Sequence, residues 1–286
     1  MHVIMGGTGH VGAAVATALL ARGEAVTILT HDARKAEAWR SSGARIVQAD
    51  VDDVASLRAA FRQGRRAFLL NPPADTTLDT DAVERRTVTN ILAALDGSGL
   101  EKVVAASTMG AQPGERIGDL SVLWEFEQGL QRQSIPAAIN RGAFYMSNWD
   151  ALLDAIEQSG RLPTMFPADL AMPMVAPRDL GEAAADRLTS PIADTGIRHV
   201  EGPARHSPRD VAAAFARALG KPVDVAVTPR EQWTAAYRRL GFSEAAADTY
   251  ARMTAASVDQ GFPPPDASLH GSTTLEAHVA ALVGRR

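Results

Sequence analysis

Three glycines spaced three apart, Gly6, Gly9 and Gly12, lie in Met5-Gly6-Gly7-Thr8-Gly9-His10-Val11-Gly12. Before them runs the apolar segment His2-Val3-Ile4-Met5. After them comes a helical repeat, Val11, Val15, Ala18 and Leu19, that stops at Arg22-Gly23. A strand, a glycine turn and a helix start make a phosphate cradle. Glycine lets the backbone approach a pyrophosphate, and the helix start supplies unpaired N–H groups and the positive end of its dipole. A ligand-free βα turn would use the same residues, but strand and helix together favour the nucleotide reading.

Arg141-Gly142 directly follows an apolar strand, which places a guanidinium at the ligand end of a sheet; a structural ion pair with a neighbouring acid is the alternative. The aromatic and sulfur residues Phe144, Tyr145, Met146, Trp149, Met165, Phe166, Met172 and Met174 divide between core and pocket wall. Other chemistries find no footing. The seven histidines form no H-E-x-x-H pattern, and there is no G-x-x-x-x-G-K-[ST] loop or G-x-S-x-G elbow. With zero cysteines there is no disulfide, thiolate metal site or cysteine nucleophile.

The elements that must position these groups alternate. Strands are expected at 2–5, 25–29, 45–48, 67–70, 102–106 and 137–140. Helices are expected from Val11, at about 34–41, 56–63, 80–95 and about 119–133. Such alternation predicts an α/β, Rossmann-like, doubly wound parallel sheet over residues 1–150. Its strand-end residues Gly6, Thr30, Asp50, Asn71 and Ser107 converge on one crevice. Residues 151–286 read as a smaller, mainly helical substrate lobe, with segments returning to the main sheet. Helical pieces are expected near 150–159, 178–189, 208–219, 230–240 and 244–260, and short strands at 197–201 and 223–228.

At 286 residues and 46% hydrophobic composition, the chain can bury a large core. A net charge of −4 gives no case for nucleic acid, and no apolar run reaches the roughly 20 residues of a membrane span. The first strand starts at residue 2, leaving no room for a signal peptide, so a cytoplasmic protein, monomer or homodimer, acting on a small molecule is expected.

These residues resemble the NmrA-like family, atypical short-chain dehydrogenases that include the NAD(P)H:quinone oxidoreductase 2 type. The glycines read G-x-x-G-x-x-G, the short-chain dehydrogenase variant. The resemblance continues through Thr30-His31-Asp32-Ala33-Arg34-Lys35-Ala36, Gln48-Ala49-Asp50, Leu70-Asn71-Pro72-Pro73 and Ala106-Ser107-Thr108. It reaches Asn140-Arg141-Gly142-Ala143-Phe144-Tyr145-Met146-Ser147-Asn148 and the closing Gly271-Ser272-Thr273-Thr274-Leu275-Glu276.

By that resemblance Gly6, Gly7, Thr8, Gly9, His10 and Val11 wrap a pyrophosphate. His31 with Arg34 or Lys35 meets the adenosine ribose or its 2′-phosphate, and Asp50 and Val51 flank the adenine. Asn71, Pro72 and Pro73 run under the cofactor, while Ser107 with Arg141, Gly142, Ala143 and Phe144 surrounds the nicotinamide side. Asn71-Pro72-Pro73 could instead be turn chemistry, and Asp50 a helix cap. Strand 2 ends without a carboxylate, and positive charge follows it, so NADP(H) is preferred, with NAD(H) possible; Asp32 is the counter-evidence.

Ordinary short-chain dehydrogenases pair a tyrosine with a lysine four residues on. None of the three tyrosines here has one: Tyr145 precedes Trp149, Tyr237 Gly241 and Tyr250 Thr254 at that spacing. Leu123 aligns with the tyrosine and Glu127 with the lysine, on an inward stripe expected to comprise Leu120, Leu123, Trp124 and Leu130. Tyr145, Ser107 and Glu127 are the candidate catalytic groups; Met109, Trp124, Tyr145, Asn148 and Trp149 the candidate substrate contacts. The resemblance implies a NAD(P)H-dependent oxidoreductase reducing a quinone, enone or other carbonyl or imine compound. The alternative is a non-catalytic dinucleotide sensor of the NmrA type.

Overall fold

A computed structural model describes residues 1–285. The first half alternates without interruption. β1 (His2–Ile4) passes through the glycine turn into α1 (His10–Ala21), and the fully buried β2 (Val26–Thr30) follows. The basic helix expected over 34–41 is broken into a 3-10 turn, Ala33–Ala36, and a single turn of helix, α2 (Ala38–Ser41). Asp32 causes the break: its carboxylate accepts from the Arg34 N–H at 3.0 Å and tightens the turn before a helix can start. β3 (Arg45–Gln48), α3 (Val54–Phe61), β4 (Arg66–Leu69) and α4 (Thr80–Leu95) come next, the two helices capped by Asp53 and Asp79. β5 (Lys102–Thr108), α5 (Asp119–Gln131) and β6 (Ala137–Gly142) complete the alternation.

Beyond β6 lie β7 (Phe144–Tyr145), a 3-10 stretch over Met146–Leu152, α6 (Leu153–Ser159) and β8 (Arg161–Thr164). The helical piece expected near 150–159 is therefore regular only in its second half. Next are β9 (Met172–Val175), α7 (Pro177–Thr189), β10 (Gly196–Glu201), β11 (Arg205–His206) and α8 (Pro208–Leu219). β12 (Asp224–Val227), α9 (Trp233–Arg239), α10 (Glu244–Gln260), β13 (Ser268–His270) and α11 (Leu275–Val283) close the described chain.

Eight strands form one sheet in the order β13-β10-β6-β5-β4-β1-β2-β3, all parallel. The chain order reverses between β1 and β4, and the crevice of a doubly wound sheet opens at such a switch point, beyond the carboxyl ends of the strands. α1 and α7 cover one face over Val15, Leu19, Ile28, Leu180 and Leu188; α3, α4 and α5 cover the other over Leu57, Phe61, Ile91 and Phe126. α7 lies so close to α1 that a Cβ on Gly181 would stand 2.8 Å from the Val15 nitrogen. Thus α7, β10 and β13, all from the second half of the sequence, build the main sheet layer. The remaining lobe has its own core, with Met146, Trp149, Ile156, Phe215 and Leu275.

The α5 stripe keeps Leu120, Glu127 and Leu130 of the expected face buried and differs at Leu123 and Trp124. Val122, Phe126, Glu127 and Leu130 face inward, whereas Leu123 and Trp124 are half-buried. Gly129 packs against α4, where a Cβ would overlap the Leu92 side chain. α9 and α10 lie across the loops that follow β4 and β5. Ser243 donates to Leu78 O (2.7 Å), Arg116 to Thr249 Oγ1 (3.3 Å), and Gln112 to Gln260 Oε1 (2.8 Å).

Candidate cofactor cleft and active site

The three turn glycines do different work. Gly6 has φ +66°, a left-handed conformation that side chains disfavour. At Gly12 a Cβ would overlap the Gly6 carbonyl and stand 2.6 Å from Met5 O, so this glycine is demanded by helix-on-strand packing. Gly9 caps α1 with extended backbone (φ −105°, ψ 179°), and a Cβ there would meet only Gly6 O, at an ordinary 3.5 Å. Nothing inside the protein requires glycine at position 9. Gly9 N–H turns back to Gly6 O at 2.9 Å, and within α1 the first N–H bonded back is that of Ala13, to Gly9 O at 3.0 Å; the first-turn donors between them are left for the crevice, where Thr8, Gly9 and His10 are exposed. Trp39, which the sequence did not single out, steadies the turn by donating from Nε1 to Gly7 O at 2.9 Å.

Beyond β2, His31, Arg34 and Lys35 are exposed. Arg34 grips Asp32 with Nε and Nη2, each at 3.0 Å, and holds that carboxyl below its ordinary range. Asp32 is therefore committed to a cation. The Asp50 carboxylate closes its own turn through the Asp52 N–H (2.9 Å); the cap on α3 comes from Asp53. Asn90 Nδ2 donates to Val51 O at 3.0 Å. Along Asn71-Pro72-Pro73, Asn71 Nδ2 reaches Glu84 O at 3.4 Å, while its buried Oδ1 has no partner among the described residues.

At the far end, Ser107 and Arg141 are register partners on β5 and β6, and α5 lays Glu127 over both. Arg141 binds the carboxylate with Nε (2.8 Å) and Nη2 (2.6 Å), and Ser107 Oγ donates to the same Oε1 at 2.5 Å. Glu127 is 1% exposed and Arg141 18%, so the anion is fully enclosed while the guanidinium keeps a face to the cleft. His199 pairs in register with Arg141 from β10; burial, then the Arg141 charge, holds its imidazole pKa below the ordinary histidine value. Both alternatives left open for Arg141 thus hold together: it stands at the ligand end and is ion-paired.

β7 sends its two side chains to opposite faces. Phe144 packs on Trp149 and Phe166 in the lobe, with ring centroids 5.6 and 5.5 Å away. Tyr145 packs against the main core, and burial, then the Asp119 charge, pushes its phenol pKa up. Of the other candidate substrate contacts, Met109 and Trp124 are half-buried, Asn148 is exposed, and Trp149 is 4% exposed within the lobe core. Trp149 therefore supports the wall from behind. Three further acidic groups, on α4, α5 and α10, are linked electrostatically through the α5 one, Asp119, the neighbour of Tyr145. Burial, with Asp119 close by, raises Glu84 to about 7; Tyr250 on α10 is also raised, by burial and then Asp119. Asp119, accessible but deeply set, is itself raised by desolvation and makes no hydrogen bond or ion pair among the described residues. The sequence held one clue to it: Asp119 stands one turn before Leu123, where the missing tyrosine would be.

The NmrA-like family model matches residues 2–277. The chain belongs to the NmrA-like family. An NAD(P)H azoreductase of Xenophilus azovorans is 26% identical over 266 residues, covering 93% of this chain and 88% of that protein. Among solved structures, the NADPH complex of an NADPH-dependent quinone oxidoreductase from Escherichia coli superposes with TM-score 0.81 at 21% identity, over 99% of each chain. A triphenylmethane reductase of Citrobacter sp. gives TM-score 0.81 at 19% identity, again over 99% of each. This NmrA-like chain shares their whole fold, lobe included. No helix among the described residues is long and apolar enough to cross a membrane.

Proposed function

We propose that the chain is an NAD(P)H-dependent reductase of a small apolar acceptor such as a quinone, enone or azo compound. The observation that carries this reading is the contrast within the turn: Gly12 is glycine for packing, whereas Gly9 leaves its surroundings open, as a close approach of pyrophosphate to the backbone would need. The named activities of the azoreductase and quinone oxidoreductase relatives support the same reading.

Gly6 to Val11 would hold the pyrophosphate, and His31, Arg34 and Lys35 the adenosine 2′-phosphate, which favours NADP(H). Asp50 and Val51 would flank the adenine, Asn71 to Pro73 would lie beneath the cofactor, and Ser107 with Arg141 to Phe144 would close the nicotinamide end. Reduced nicotinamide supplies a hydride when bound there. Lacking a Tyr-x-x-x-Lys pair, the chain offers no depressed phenol, and Tyr145 is held neutral by burial and the nearby Asp119. Its hydroxyl can donate a hydrogen bond to an acceptor but cannot serve as a phenolate base. Trp124, Met109 and Tyr145 would offer the acceptor an apolar wall with one polar tip.

Stopped-flow mixing of the NADPH-loaded protein with a quinone, an enone and an azo dye tests the reading. Oxidation of bound NADPH by at least one is expected. Tight NADPH binding with no oxidation by any of them would instead leave a dinucleotide sensor.

A further inference from the structure

Arg141 has five N–H donors, and among the described residues two are engaged, the one on Nε and one on Nη2, both by Glu127; the second Nη2 N–H and both on Nη1 have no acceptor. The guanidinium is planar, so gripping one carboxylate with Nε and Nη2 aims Nη1 away from it, and no described residue accepts from Nη1. Three devices fix that direction. Glu127 is fully buried, Ser107 locks Oε1, and β5 and β10 flank Arg141 in register. Arg141 lies near the carboxyl end of β6 and its side chain is 18% exposed, so a clamped fork here leaves outer N–H groups with no acceptor among the described residues.

Strand order says what Nη1 can meet. β6 lies three strand spacings from β1, about 14 Å from the pyrophosphate turn. Phosphate is therefore out of reach, and the groups at this end are the nicotinamide and the acceptor. Of the two, the acceptor is the one that becomes an anion. It gains the two electrons and one hydrogen of the hydride, the dinucleotide is oxidised in the same step, and the acceptor heteroatom stays negative until a proton from water joins it. A fixed cation accelerates the step only if it binds the charge that develops. It cannot supply the proton, because guanidinium does not deprotonate in proteins.

We propose that Arg141 Nη1 binds the heteroatom of the acceptor, a carbonyl or quinone oxygen or an azo nitrogen, and stabilises the negative charge it gains, with Glu127 and Ser107 as positioning residues. This rests on the reductase reading and adds a catalytic role to Arg141 beyond closing the cofactor site.

The test uses the full chain in complex with NADP+ and 4-nitrophenol as a charge-reporting probe, since its ionisation is visible in its absorbance. Removing Arg141 alone would strand the Glu127 charge, so the variant is the double Arg141→Gln/Glu127→Gln. Arg141→Lys, which keeps a cation opposite Glu127 but loses Nη1, serves if the double variant does not fold. Wild type is expected to bind the phenolate at least tenfold more tightly than the phenol, lowering the apparent pKa of the bound probe. The variant loses that preference and, with NADPH saturating as checked by fluorescence titration, transfers hydride to 1,4-naphthoquinone in a single turnover about 10²–10³-fold more slowly. Retained phenolate preference, or hydride transfer within threefold of wild type, overturns the proposal. So does weakened NADPH binding with the preference intact, which would make Arg141 a cofactor contact only. If wild type itself neither binds nor oxidises NADPH, the reductase reading falls and this inference with it; if wild type does both and the variant matches it, only this inference falls.

Discussion

Gly9 and Gly12 belong to one motif, yet the structure predicts opposite consequences of filling them. In Gly9→Val the new side chain takes a backbone conformation open to any residue and meets no protein atom closer than 3.5 Å at its Cβ. The helix loses a fair N-cap, and the unfolded chain loses entropy. These terms oppose each other, so stability should stay within about 1 kcal/mol of wild type. In Gly12→Ala the Cβ overlaps the Gly6 carbonyl, and β1 and α1 must part. Overpacking of that kind costs about 1–3 kcal/mol or more, a fall in Tm of roughly 2–4 °C per kcal/mol in a chain this large. Ligand response separates the two further. Dinucleotide at a hundred times its Kd stabilises a binding-competent fold by about 2.7 kcal/mol, which thermal unfolding reads as roughly 5–10 °C. Wild type should show that rise with NADPH. Gly9→Val should match wild type without ligand and show no rise. Gly12→Ala should start low. A full NADPH response from Gly9→Val would refute the claim that position 9 is glycine for the sake of a ligand.

Lys35→Ala and Arg34→Ala should weaken NADPH and leave NADH binding within about twofold, because only the 2′-phosphate uses their charge; an unchanged NADPH-to-NADH ratio in titrations at moderate salt would count against the site. Tyr145→Phe should keep Tm and NADPH affinity, since no described residue pairs with the hydroxyl, and a tenfold drop in kcat, about 1.4 kcal/mol, would mark an acceptor contact. Unaltered turnover would reduce the ring to wall. Glu84 is raised from 4.5 to about 7, by burial first and Asp119 second, so the folded state binds the extra proton in that window. Stability should therefore fall as pH rises from about 4.5 to 7, by up to about 3 kcal/mol, and Glu84→Gln should flatten that slope in urea unfolding at pH 5 and 8. Equal slopes in variant and wild type would show that Glu84 does not titrate this way.

What the sequence alone determined is local and periodic. The apolar runs at 2–5, 25–29 and 102–106 are strands buried on both faces, so they carry a continuous hydrophobic signal that needs no partner to be read. The glycine turn, the Gly23 stop and the alternation that forces a parallel sheet are legible for the same reason. The strands β7, β9 and β11 were not read from the sequence, and each exists because a neighbouring strand supplies its hydrogen bonds. On α5 the inward Leu120, Glu127 and Leu130 were legible, whereas packing against α4 and β5 brought in Val122 and Phe126 in place of Leu123 and Trp124.

The chemical site divides along the same line. Ser107, Glu127 and Arg141 were each named from the sequence, but their union was not. They are separated by 20 and 14 positions, and only the pairing of β5 with β6 beneath α5 makes one carboxylate serve both partners. Asp119, Glu84 and Tyr250 became a group only when α10 crossed the loops after β4 and β5. Periodicity and spacing fix what a residue does within its own element. Charge, burial and the direction of a free donor depend on neighbours brought from elsewhere in the chain, and only the tertiary structure decides those.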